Sequence, residues 1–146
     1  MYEINSDTLA VIYLDNNKVK IIEKFNEFEL DCSSFVVIDR SCKFFGSSYN
    51  GRKKGTKSLI GVTHKAPIII EETKETIFFP TTSPRLEECS WISLKNIKDY
   101  KRNDKNSIII FNNGYELHLN ISYGSLENQI FRATRLGTVL RDRKIG

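Results

Sequence analysis

Asn112-Asn113-Gly114 separates two apolar runs, Ile108–Phe111 and Tyr115–Ile121. Asn-Gly suits the left-handed backbone of a tight hairpin turn. In the second run Tyr115, Leu117, Leu119 and Ile121 alternate with Glu116, His118 and Asn120. Successive strand side chains point to opposite faces, so this hairpin has one apolar face that another layer must cover. The pattern recurs. Thr8–Leu14 and Lys18–Glu23 flank the turn signal Asp15-Asn16-Asn17, and Pro67–Glu71 and Thr76–Phe79 flank Glu72–Glu75. Both read as hairpins. Ser90–Ile97 alternates like a strand, and Phe25–Leu30 fits a third strand or a short helical turn. The apolar run Phe35–Ile38 reads as a buried strand, Thr81–Glu88 as a loop around Pro84, and polar Lys101–Ser107 as the end of a unit. One long helix is expected, at about residues 125–141. Ser125 is its expected N-cap, and Leu126, Ile130, Ala133/Thr134, Gly137 and Leu140 form its apolar stripe. The fold class is α+β, predominantly antiparallel β-sheet and hairpins with this C-terminal α-helix. The 146 residues suit one domain. It would comprise an acidic β part (1–38), a basic segment (39–65), and hairpins plus helix (66–146).

Charge is segregated along the chain. Residues 1–39 hold eight acids and three bases. Residues 40–65 hold seven Lys/Arg (Arg40, Lys43, Arg52, Lys53, Lys54, Lys57, Lys65) and His64, with no acid. Uncompensated charge of one sign favours an anionic partner, although a solvated basic loop satisfies the composition equally. Gly46–Asn50 and Gly51–Gly55 read as turns or a short helical segment framed by glycines, with Phe44-Phe45 buried as an anchor and Arg52–Lys54 carrying charge outward. Arg132 and Arg135 are three apart and share a helix face. Together these give the candidate nucleic-acid contacts: Arg40, Lys43, Arg52, Lys53, Lys54, Lys57, His64, Lys65, Arg132 and Arg135.

Several chemistries find no support. GRKKGT lacks the G-x-x-x-x-G-K-[ST] spacing of a phosphate-binding loop. His64, His118, Cys32, Cys42 and Cys89 match no zinc spacing and no local nucleophile signature. The carboxylates Glu71/Glu72/Glu75 and Glu87/Glu88 fall in loop-like stretches and read as solvated. No enzyme, metal or cofactor is expected. The odd cysteine count without C-x-x-C suggests reduced thiols. No apolar run approaches the roughly 18–20 residues of a membrane span, and the start resembles no signal peptide. A cytoplasmic, nucleoid-associated protein is expected.

Asp39–Thr56 (DRSCKFFGSSYNGRKKGT) resembles the central signature of the ComK-type competence transcription factors of Gram-positive bacteria. The resemblance continues through Thr63-His64-Lys65-Ala66-Pro67-Ile68, where the family usually has two prolines, and Phe79-Pro80-Thr81. It extends to Cys89-Ser90-Trp91-Ile92-Ser93, where glycine is usual at 90, and to Ile121-Ser122-Tyr123, Glu127-Asn128-Gln129 and Phe131-Arg132. It spans about residues 36–143. The resemblance implies a DNA-binding activator of genes for DNA uptake and natural transformation. Such proteins bind double-stranded DNA with paired A/T-rich boxes through the minor groove, as homodimers that pair into tetramers. The family's usual tail, which recruits a proteolytic adaptor, extends beyond the position of Arg143, whereas this sequence stops at Gly146. An alternative function follows: a short regulator that does not bind DNA and acts on a longer relative through mixed oligomers.

Overall fold

The computed structural model describes residues 1–145. Strands β1 (Thr8–Asp15), β2 (Lys18–Glu23) and β3 (Glu27–Leu30) are followed by helices α1 (Ser34–Phe44) and α2 (Tyr49–Ile60). Then come β4 (Ile68–Glu71), β5 (Thr76–Pro80), β6 (Trp91–Ser93), β7 (Ile97–Asn103), β8 (Asn106–Phe111), β9 (Glu116–Leu119) and α3 (Tyr123–Ile145). Six strands form one antiparallel sheet in the order β3-β2-β1-β6-β5-β4, and three form another in the order β7-β8-β9. The α+β class, mostly antiparallel sheet with a C-terminal helix, is as expected.

The six-stranded sheet is covered on both faces. On one, Val11, Val19, Ile21, Ile68, Phe78 and Trp91 pack against Val37, Ile38 and Cys42 of α1. On the other, Ala10, Ile22, Ile77, Phe79 and Ile92 meet Ile109 and Phe111 of the small sheet and Leu126, Ala133 and Leu136 of α3. Burial on both faces explains the near-continuous apolar runs IIIE and TIFFP, which a one-sided sheet would break by alternation.

Helix α2 straddles the β4 edge of this sheet. Tyr49, at its start, belongs to the α1 core, while Leu59 and Ile60, at its end, pack on the α3 core. An uncovered edge strand is a template for unwanted pairing, and α2 covers this one.

Three local expectations are corrected. Phe35–Ile38 is not a strand but the first turns of α1. Ser33 caps the helix by accepting from the Val36 N–H, and the buried Val37, Ile38, Ser41 and Cys42 have helical spacing. A four-residue apolar run satisfies either period, and here the cap decides. Lys101–Ser107 does not end a unit: β7 runs to Asn103 and turns at Asp104-Lys105 into β8. Its polar sequence reflects an edge strand with a solvated outer face. The α3 helix starts before Ser125, and Ser122 is the residue that caps it, its Oγ accepting from the Ser125 N–H at 3.2 Å.

Candidate nucleic-acid interface

The acid-free segment contains α2, which residues on both sides fix in place. Ser48 Oγ accepts from the Gly51 N–H at 3.0 Å. Asp39 Oδ1, from α1, accepts from the Tyr49 N–H at 3.0 Å, and Lys43 pairs with the same carboxylate at 2.9 Å. These partners, the backbone N–H first and Lys43 after it, hold the Asp39 carboxyl below its ordinary range. Tyr49 makes edge contacts with Trp91 and Phe35. Thr56 Oγ1 is buried and donates to the Pro67 carbonyl at 2.6 Å. At the far end Gly61 adopts φ 72° and donates to Lys57 O, a left-handed stop that glycine takes without strain. Glycines 51 and 55 therefore lie inside a regular helix rather than framing turns.

With Tyr49 and Thr56 facing inward, Lys53, Lys54 and Lys57 face solvent. They line a cleft of about 540 Å³ with His64, Lys65 and Arg85. Among the described residues no carboxylate lines it, and none of its lysines nor Arg85 forms an ion pair. These side chains therefore have no direct ion-pair partner among the described residues, while Glu87 lines an adjoining depression with Lys53 and Arg85. Helix α3 anchors the opposite rim. Gln129 Nε2 donates to the carbonyls of Lys65 (3.0 Å) and Pro80 (2.8 Å), and Arg132 donates to the His64 carbonyl at 2.8 Å. Arg135 is exposed one turn further along.

The remaining candidates lie elsewhere. Arg52 does not carry charge outward. Its side chain is only 16% exposed and pairs with Glu72 at 3.2 Å, because its helical position faces the β4–β5 hairpin. Arg40 and Lys43 are exposed on α1 but do not line the cleft; Arg40 lies against Met1 beside Cys32. Phe44 and Phe45 are not buried. They are 64% and 38% exposed and stack edge-on against each other at the end of α1. Arg85 is a cleft residue that sequence reasoning misses, because its segment is net acidic. The loop carrying it is closed by Thr81 N–H to Ser90 O and Ser90 N–H to Thr81 Oγ1, which brings it to the lysines. Pro84 marks the turn, but no local signal gives its direction.

The family model described as ComK protein matches residues 1–145. The chain belongs to the ComK family. A curated relative, the competence transcription factor of Bacillus subtilis (strain 168), is 40% identical over 146 residues, covering 97% of this chain and 76% of that protein. No solved structure matches. In this ComK-family chain burial disfavours the thiolate form of the cysteines, pushing Cys42 up to about 12 and also raising Cys89 and Cys32. Among the described residues no group of three His, Cys, Asp or Glu side chains could hold a metal ion. Among the described residues no helix is long and apolar enough to cross a membrane.

Proposed function

We propose that this homologue of a competence transcription factor binds A/T-rich double-stranded DNA at the cleft formed by α2, the His64–Lys65 loop and Arg85, and so activates competence genes. One observation carries the reading: six basic residues line one cleft with no carboxylate among them. DNA phosphates supply the missing counter-charge. A·T tracts have a narrow minor groove of enhanced negative potential that attracts Lys and Arg, so the minor groove is the proposed docking site. Arg132 and Arg135 extend the basic surface along α3. Paired promoter boxes would be met by a homodimer or tetramer.

The test is titration of the purified chain with an A/T-box duplex across a salt series. Replacing Lys53, Lys54 and Lys57 with Ala should weaken binding. It should also make the log–log salt slope shallower by about 0.9 for each phosphate that is no longer neutralised. An unchanged slope removes the cleft from the interface. A chain that shifts no DNA alone, yet alters the shift of a longer relative, would instead be a regulator acting through mixed oligomers.

A further inference from the structure

Phe131 is 60% exposed in the middle of α3. The buried stripe of that helix includes Leu126, Ile130, Ala133 and Leu140. At 3.6 residues per turn, Gly124, Asn128, Phe131, Arg135 and Thr138 fall on the opposite side. That face carries no acid from Gly124 to Thr138. Single exposed aromatics are ordinary, and what distinguishes this one is its surroundings. Phe25 is 91% exposed but lies in the acidic β2–β3 turn, near Glu23 and Glu27. Phe45 shares a depression with Glu71 and Glu72. Phe131 instead adjoins Arg132, whose guanidinium is held on the His64 carbonyl at the cleft rim. Arg135 lies one turn away. Among the described residues, Arg135 forms no ion pair. Glu127 lies one turn before Phe131, and its carboxylate is engaged by the hydroxyls of Tyr100 and Tyr123, which donate to it.

An apolar side chain with two arginines beside it on the same flank and an amide one turn away suits a stacked and anionic ligand better than an apolar protein surface. Minor-groove proteins use this combination, inserting an apolar wedge between base steps while Arg and Asn contact the groove. Pyrimidine–purine steps in A/T-rich DNA unstack most easily. We propose that Phe131 wedges between two adjacent base pairs of the bound duplex and kinks it. Arg132 and Arg135 flank the opened step, and the Asn128 amide donates to the A N3 or T O2 acceptors on the groove floor. This assignment rests on the DNA-binding reading and adds a bend beside the cleft contacts.

The experiment uses the full chain and an A/T-box duplex carrying 2-aminopurine at successive steps and a fluorophore pair at its ends. The unmodified protein should raise the 2-aminopurine signal at one step and bring the duplex ends closer. Phe131→Ala should abolish both changes and weaken binding roughly tenfold. Its salt slope should stay unchanged, because every phosphate interaction is kept. Phe131→Leu should retain part of the bend. A Phe131→Ala protein that still unstacks and bends DNA overturns the wedge. So does one that bends DNA normally but sediments as a smaller oligomer, since Phe131 would then cover a second copy. If the unmodified chain binds no A/T duplex, the DNA reading itself fails; if it binds without any fluorescence change, only the wedge fails.

Discussion

Asp39 supplies no charge to the cleft, yet it sets where the cleft's helix begins. Its carboxylate takes the Tyr49 N–H, one of the first donors of α2, and holds Lys43 beside it. An unpaired N–H at a helix start is destabilising, so Asp39→Ala should lower stability at pH 7 by about 1 kcal/mol. The pH dependence has a definite sign. The folded-state pKa is depressed, so the stabilisation is fully present above the unfolded-state value near 4. It is lost as pH falls through the lower folded-state value. Urea unfolding of both proteins at pH 7 and pH 3 checks this. The gap between them should narrow at pH 3, and a gap that widens on acidification contradicts the role given to the carboxylate. Residue-scale direction is the least legible property of the sequence. Composition shows an acid-free segment but cannot show that Arg52 turns to Glu72, nor that Phe44 and Phe45 stay outside the core. Those outcomes depend on the angular position of each residue about a helix axis, which follows only once the helix is known.

At the scale of elements, hairpins are legible and short helices are not. The β1–β2, β4–β5 and β8–β9 pairs are local in sequence and punctuated by turn residues, so period and turn chemistry agree. Helix α1 hides behind FVVI, where four apolar residues fit two periods. Helix α2 is one of two readings of a glycine-rich stretch that fits turns as well. Gly55 is not required for conformation, because its φ is not in the left-handed region and a Cβ there would meet nothing within 4 Å. Glycine inside a helix costs about 1 kcal/mol relative to alanine. Gly55→Ala should therefore stabilise the protein by about that amount and raise Tm by roughly 3 °C. A thermal melt that moves downward would show that α2 needs this glycine for a reason other than its own helicity. Gly51 differs, since a Cβ there would approach Ser47 Oγ at 2.8 Å and Ser48 Oγ at 3.3 Å, crowding the cap.

For the whole molecule, the sheet order turns a charge pattern in the sequence into a polarity in space. Strand β3 and the α2-covered strand β4 are opposite edges of the six-stranded sheet. At about 4.8 Å per strand they lie roughly 24 Å apart. Glu27, Glu29 and Asp31 are exposed at the β3 edge, and among the described residues only Lys18 pairs with any of them, at 3.9 Å from Glu29 and from Asp31. These acids guard an open edge strand against pairing. If DNA binds as proposed, they would also repel the polyanion from the edge opposite the cleft and turn an approaching duplex toward α2. This electrostatic steering has a range. The Debye length is about 30 Å at 0.01 M salt but about 8 Å at 0.15 M, so the β3 edge should affect DNA at the cleft only when salt is low. Replacing the three acids with Gln, Gln and Asn should tighten binding to a random duplex several-fold at about 0.01 M salt and leave it unchanged near 0.15 M. Binding titrations at the two salt concentrations decide the matter. A gain that persists at the higher salt would place the acidic edge within a few ångströms of bound DNA, and the duplex would then have to cross the sheet rather than lie along α2.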